Sequence, residues 1–418
     1  MDSRERVKIT LNHQIPDRVP IDFGSTRTSG ITAIAYSSLV KKIKPERQAY
    51  GLPRIYDMVQ QLAYPQKDIL ELFNADFIDA GQAFFESEDF WREFVLNDGS
   101  KCLIPSWFNV LRDKNGDVII QNDDGIILGK MPSSSFYVDQ TYWVYGSVEK
   151  IPEKIDPADF DKDVWAYTTP PPGSIDLFDK KQAELFKNSI NRLYEQTKYA
   201  IVLRFGGNLV ESGFSIRGME NYLCDLYLDP SGVERFLEVL MEDYVRKLNR
   251  ILELVGDKIS VIMFADDMGS ELGPFFPAEI YRKYFKEKHR QMWDIVHSKS
   301  GCKVFLHSCG SVSELIPDLI DAGLDILNPV QISAKNMDPE ILKKNYGKDL
   351  IFWGGCCDTR EILPKATPGK IIDHVKENMR ILGKDGGLVF NQIHNIQPGV
   401  PPSNILALFE AAKLFGRY

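Results

Sequence analysis

Val304-Phe305-Leu306-His307-Ser308-Cys309-Gly310 is a short apolar run that ends in two soft ligands one residue apart. The run has the composition of a buried strand, and the residues just past a strand end are where barrel enzymes keep their chemistry. As the chain leaves the strand, the imidazole and the thiol can both turn toward one ion, and such a pair suits zinc. The same two residue types also pack and hydrogen-bond in ordinary cores. The remainder of the chain has to decide between these readings.

Outward from that run, short apolar or β-branched stretches recur at 18–23, 76–80, 200–205, 259–265, 324–327, 350–353 and 387–390; with 303–306 they make eight. The segments between the later runs read as amphipathic helices. Residues 230–254 carry Phe236, Leu240, Tyr244 and Leu248 at helical spacing, and 277–297 carry Tyr281, Tyr284, Met292 and Val296. Eight alternations of strand and helix predict an α/β fold, a TIM-type (β/α)8 barrel in preference to an open doubly wound sheet. Between 88 and 145 the rhythm breaks. Turn signals at Asp113-Lys114-Asn115-Gly116 and Asn122-Asp123-Asp124-Gly125 flank alternating runs there. They predict an inserted antiparallel hairpin region, a lid or partner surface, within a single domain spanning 1–418. Thr169-Pro170-Pro171-Pro172-Gly173 marks the return to the barrel.

With 418 residues and 44% hydrophobic content, the chain can build a large core. Its net charge of -9, with no Lys/Arg-dense stripe, argues against a nucleic-acid partner. No stretch approaches the ~20 apolar residues of a membrane span, and the polar start Met1-Asp2-Ser3-Arg4 is unlike a signal peptide. The expected location is cytoplasmic. Six irregularly spaced cysteines, without a CxxC pair, are then free thiols rather than a disulfide framework.

The ends of the eight runs carry reactive side chains: Asp22 and Arg27, Asp79, Asn208 with Glu211, Asp266-Asp267, His307 and Cys309, Asn328 and Gln331, Cys356-Cys357-Asp358, and Asn391 with His394. Two of the six histidines fall in this set. Each residue also has a plainer reading. Asp266 and Asp267 suit helix capping, Gly206-Gly207 suits a tight turn without a nucleotide fingerprint, and Cys356-Cys357 suits burial. His394, on the loop before the last helix, is either solvated or the third ligand beside His307 and Cys309. Phe84, Phe85, Trp107 and Tyr145 are candidates for lining a pocket or for core packing.

The chain resembles the uroporphyrinogen decarboxylase superfamily, and within it the cobalamin-dependent methyltransferase branch. The resemblance runs through Pro16-Asp17-Arg18-Val19-Pro20-Ile21-Asp22-Phe23, Ala265-Asp266-Asp267-Met268-Gly269, His307-Ser308-Cys309-Gly310, Asn328-Pro329-Val330-Gln331, Phe352-Trp353-Gly354-Gly355 and Pro401-Pro402-Ser403-Asn404. It implies a TIM-type barrel and a zinc ion held by a His-x-Cys pair, here His307 and Cys309, and by a later Cys. Where that later Cys falls, this chain has His394, with Cys356 as the fallback. Asp267 or Glu271 is a candidate fourth ligand or base. The metal-free decarboxylase itself implies an aspartate on the second strand, matched by Asp79, but its arginine-rich signature is reduced to Arg27.

On this resemblance the expected activity is zinc-dependent transfer of a methyl group from a small methylated compound, such as an aryl methyl ether, to the Co(I) corrinoid of a partner protein. Asp79, Asp266 and Asp267 are the candidate catalytic acids, and Arg27, Asn208 and Gln331 the candidate substrate contacts. Decarboxylation of a porphyrinogen, methyl transfer from methylcobalamin to a thiol, and a binding module without catalysis are the alternatives. Oligomeric state is open, a homodimer included.

Overall fold

The computed structural model describes residues 1–45, 51–85 and 88–418. Seven short strands form one parallel sheet in chain order: β1 (Phe77–Asp79), β2 (Ala200–Gly206), β3 (Val261–Ala265), β4 (Lys303–His307), β5 (Ile326–Asn328), β6 (Ile351–Trp353) and β7 (Leu388–Val389). The predicted first strand at 18–23 differs from expectation. Only Ile21 joins the ladder, bridging Ala75 on one side and Phe390 on the other. Pro20 has no N–H to donate, and Gly24 turns the chain away at a φ of +82°, so the segment cannot extend its pairing. A few backbone bonds nevertheless close the ring, from Asp76 N to the Ile21 carbonyl at 2.8 Å on one side, and from Phe390 N to the Pro20 carbonyl at 2.8 Å and Asp22 N to the Phe390 carbonyl at 2.9 Å on the other. The result is the TIM-type barrel that the run count predicts.

Buried Asp76 fastens this closing segment. Its two carboxylate oxygens take Arg6 Nη1 and Arg18 Nη1, each at 2.7 Å, and one also accepts the Ile21 N–H at 2.9 Å. Arg6 belongs to α1 (Ser3–Leu11), which starts with Asp2 and Glu5 in a reciprocal capping box. Val7 and Leu11 of α1 enter the lumen cluster, so this helix stops the base of the barrel.

Alternation along the strands fills the rest of the lumen. Phe77, Val202, Met263, Phe305, Ile351 and Trp353 pack inward, whereas Ile78, Ile201, Ile262, Val304 and Leu306 join the outer core beneath the helices. The Trp353 ring lies 4.3 Å from Phe77 and 5.1 Å from Phe305, and its Nε1–H donates to buried Asp22 at 3.0 Å. Outside, the predicted helix at 230–254 is Pro230–Val255, and that at 277–297 is split at Phe285 into Ala278–Tyr284 and Lys286–Lys299.

Between β1 and β2 the chain leaves the barrel and forms the antiparallel hairpins read from its turn signals. Trp91–Val95 pairs with Lys101–Pro105, while Val110–Arg112, Val118–Gln121, Ile127–Met131 and Asp139–Gln140 make a second sheet. Gly116 and Gly125 take φ near +83° and +82°, where a side chain would be strained, and the Asp113 and Asn122 side chains accept turn N–H groups.

Replacing Trp353 with alanine removes the largest side chain of the lumen and leaves Asp22 without its indole donor. Urea denaturation should show a loss of ~3–5 kcal/mol for Trp353→Ala. Leu272→Ala, at a side chain that is 77% exposed, should stay within ~0.5 kcal/mol of the parent.

Candidate metal centre and substrate cavity

The parity that puts Phe77, Val202, Met263 and Phe305 in the lumen puts Asp79, Arg204, Ala265 and His307 on the same face two residues later, at the carboxyl end of the strands. Register aligns them: Ala265 and Asn328 both stand beside His307 on the flanking strands. Above them lies a cavity of about 390 Å³ whose lining includes Arg204, Glu211, Asp267, His307 and His394.

His307, Cys309 and His394 converge there, with ligand atoms all within 4.8 Å of one another. His307 Nε2 is 3.4 Å from Cys309 Sγ. Asn328 determines which nitrogen faces the thiol. Its amide N–H₂ donates to the Trp353 carbonyl at 2.8 Å, so its oxygen is the atom turned toward His307 Nδ1, also at 2.8 Å. His307 therefore carries its proton on Nδ1 and presents the Nε2 lone pair to Cys309. Thr28 Oγ1 donates to the same Asn328 oxygen at 3.0 Å and holds the amide in place.

The loop that carries Cys309 is braced on the loop after β3. Asp267 accepts the Cys309 N–H at 2.7 Å, and Ser308 Oγ accepts the Met268 N–H at 3.0 Å. Gly310, at a φ of +85°, passes so close to Gly269 that a Cβ would meet its carbonyl oxygen at 2.4 Å. Cys356 is fully buried, with its thiol directed at the Gly354 carbonyl 3.9 Å away, and it is not in the ligand group.

The three candidate acids have three different surroundings. Asp266 is fully buried on the outer face and caps the helix Val210–Arg217, accepting the N–H groups of Leu209, Val210 and Glu211 at 2.8–3.1 Å. Strand parity turns this candidate acid away from the cavity lining, and it also meets buried His289 Nε2 at 3.3 Å. Asp79 is held by Arg204 Nη2 at 2.9 Å, by Tyr64 OH at 3.2 Å and by the Gly81 N–H at 3.0 Å. It stands behind Arg204, outside the cavity lining. Asp267 faces the cavity, 3.5 Å from His307 Nε2.

Burial pushes the Asp267 carboxyl up to about 6. Burial, then Asp267 and Asp266, raise Glu211 to about 8. Burial also raises the Cys309 thiol, helped by Asp267 and Glu211. It lowers both imidazoles, His394 to about 4. Two imidazoles and a thiol thus lie together beside two buried acids, a donor set that suits a dication.

Of the expected substrate contacts, Arg27 and Asn208 line this cavity, with Arg27 paired to Asp57 at 2.5 Å and Asn208 donating to Glu211 at 2.7 Å. Gln331 does not. It lines a smaller adjoining cavity of about 240 Å³, where its oxygen accepts the Gly310 N–H at 2.7 Å and its amide meets Glu271. His394 borders both cavities. Phe84, Phe85 and Tyr145 are core residues, and the aromatic lining comes instead from Tyr137, Trp165 and Phe205. Tyr137 and Trp165 lie where the insert returns to the barrel, which no strand-end search reaches. Arg204, interior to β2, was legible only through its two-residue spacing from Val202.

Comparison with known proteins agrees with this architecture. A methylated-thiol–coenzyme M methyltransferase of Methanosarcina mazei is 24% identical over 198 residues, which cover 47% of this chain. The chain spans about half the length of that relative, 49%. A solved structure, a methyltransferase from Methanosarcina mazei, superposes over 99% of both chains with a TM-score of 0.57 at 14% identity, a likeness of fold. The uroporphyrinogen decarboxylase (URO-D) family matches residues 207–415, half of the sequence and the half that carries Asp267, His307, Cys309 and His394. The chain belongs to the uroporphyrinogen decarboxylase (URO-D) family.

Proposed function

We propose that this protein is a zinc-dependent methyltransferase that moves a methyl group from a small methylated compound, an aryl methyl ether, to the Co(I) corrinoid of a partner protein. The observation that carries the reading is the convergence of His307, Cys309 and His394 on one side of a cavity of about 390 Å³. Ligand atoms around a zinc ion stand roughly 3.3–3.8 Å apart. The 3.4 Å between His307 and Cys309 fits that spacing, and the group's 4.8 Å limit leaves only small side-chain rotations to close the rest. Bound there, zinc supplies Lewis acidity at the donor's heteroatom, whose basicity otherwise makes it a poor leaving group.

The chain's own residues do the remaining work. Asn328 keeps the His307 Nε2 lone pair directed inward, and Asp267 holds the backbone of Cys309. The heteroatom that loses the methyl group needs a proton, and Glu211 and Asp267, both in the cavity lining, are the acids assigned to supply it. Decarboxylation is less well supported, because Asp79 is tied to Arg204 and Tyr64 instead of being presented to a substrate. Methyl transfer to a thiol is favoured by one observation, the name of the curated relative.

Purified protein should contain roughly one zinc per chain by elemental analysis, and His307→Ala, Cys309→Ala and His394→Ala should each lose most of it. Cys356→Ala should retain it. Asn328→Ala should weaken zinc affinity ~10–100-fold, as loss of an orienting partner does. Full zinc occupancy in the His394→Ala protein would refute the assignment of that ligand.

Incubating the enzyme with methyl aryl ethers and a reduced corrinoid protein should produce the absorbance of methyl-cobalt. The Cys309→Ala variant should fall at least ~100-fold below the parent in kcat/KM. Turnover of a porphyrinogen with release of carbon dioxide, in place of methyl-cobalt, would establish the decarboxylase.

A further inference from the structure

Three consecutive backbone N–H groups begin at Cys309, and each is taken by a different neighbour. Asp267 accepts from Cys309, Gln331 Oε1 accepts from Gly310, and the Ser270 carbonyl accepts from Ser311, all at 2.7 Å. Asp267 and Ser270 belong to the loop after β3, whereas Gln331 comes from the loop after β5. These strands flank β4, so the turn that carries Cys309 is held from both sides. His307 is the last residue of β4 and owes its place to the sheet. Cys309 lies two residues beyond it, and Gly310 has no side chain to hold the turn, so the position of the sulfur depends on those loop bonds.

A glutamine amide can present either its oxygen or its nitrogen to a neighbour, and only the oxygen can accept the Gly310 N–H. Glu271 decides which end faces the turn, because its carboxylate takes the Gln331 Nε2–H at 2.9 Å. The same Glu271 oxygen accepts Arg360 Nη1 at 2.5 Å, and the Glu271 carbonyl accepts the Lys335 N–H at 2.9 Å. Glu271 thereby ties together the loops after β3, β4, β5 and β6. The Arg360 and Glu271 side chains are 65% and 46% exposed, so water screens that ion pair and the bond to Gln331 matters more. Glu271 itself lines neither cavity and is outside the ligand group. We infer that Gln331, oriented by Glu271, is a positioning residue for Cys309: it fixes the turn that carries the sulfur and so sets how tightly the site holds zinc. The inference rests on the proposed function for the metal, and it gives Gln331 and Glu271 a task that involves no contact with substrate.

Two readouts on the full-length protein test this: zinc affinity by competition with a chromophoric chelator, and the thiolate-to-metal charge-transfer band of the cobalt(II)-substituted protein, which reports the bond to Cys309. Gln331→Ala should weaken zinc at least ~10-fold and shift or diminish that band, as loss of an orienting partner does. Glu271→Ala, which leaves the Gln331 amide free to turn, should cost ~3–10-fold. Glu271→Gln keeps an oxygen to accept the Gln331 amide and should return to within ~3-fold of the parent, and Arg360→Ala should stay within the same ~3-fold because its ion pair is exposed. Parent affinity and an unaltered cobalt band in folded Gln331→Ala and Glu271→Ala proteins, checked by melting of the metal-free forms, overturn the inference and leave the metal centre standing. If Gln331→Ala does not fold, the comparison of Glu271→Ala with Glu271→Gln decides. Loss of zinc in both Glu271 variants would make Glu271 a ligand and overturn its role as a brace. A parent protein that binds neither zinc nor cobalt sinks the proposed metal centre and this inference together.

Discussion

Period-two alternation along a packed parallel sheet is the constraint on which this molecule depends. Once Phe77, Val202, Met263, Phe305 and Trp353 are committed to the lumen, the residue two positions beyond each can only face the mouth. That rule lifts Asp79, Arg204 and His307 above the lumen plug and turns Asp266 outward to cap a helix. A one-residue slip in β4 would bury Val304 and Leu306 in the lumen and turn His307 toward the helices, so the register that stabilises the core also aims the imidazole. Stability and site geometry are therefore one problem here.

The site that results is electrostatically demanding. Burial raises Asp267, Glu211 and Cys309 and depresses His307 and His394, all in the direction of neutral forms. A cation that took His307, Cys309 and His394 as ligands would relieve this by making the thiolate and nearby carboxylates favourable. Asn328 and Asp267 support two of the three donors directly, which explains why polar residues persist on strands and loops otherwise made for packing. Arg204 of the cavity lining is neutralised by buried Asp79, and Arg27 Nε lies against buried Asp57.

Much of the fold was legible. Seven of the eight apolar runs are strands because each is short, β-rich and followed by turn residues, and the hairpin insert declared itself through Asp113-Lys114-Asn115-Gly116 and Asn122-Asp123-Asp124-Gly125. The run at 18–23 misled, since Pro20 within an apolar stretch reduces a strand to a single bridging residue. His307 and Cys309 were readable as strand-end soft donors with His394 as a candidate beside them, whereas Asp266 and Asp267, identical in type and adjacent, differ only in which face they occupy. Trp165 and Tyr137 were out of reach, because neither the insert nor the segment that returns from it has a period linking it to the barrel mouth.

The sequence by itself determined what is local: where strands and helices form, which turns reverse the chain, and that His307 and Cys309 leave a strand together. These follow from side-chain periodicity and backbone preference within a few residues. Only the tertiary structure decided that His394, 87 positions after His307 in the chain, closes on that pair, that Asn328 sets its tautomer, and that Asp57 and Asp79 claim the two arginines. Closing a barrel brings distant strand ends within ångströms of one another, and the pairing of charges there depends on distances that no sequence interval encodes.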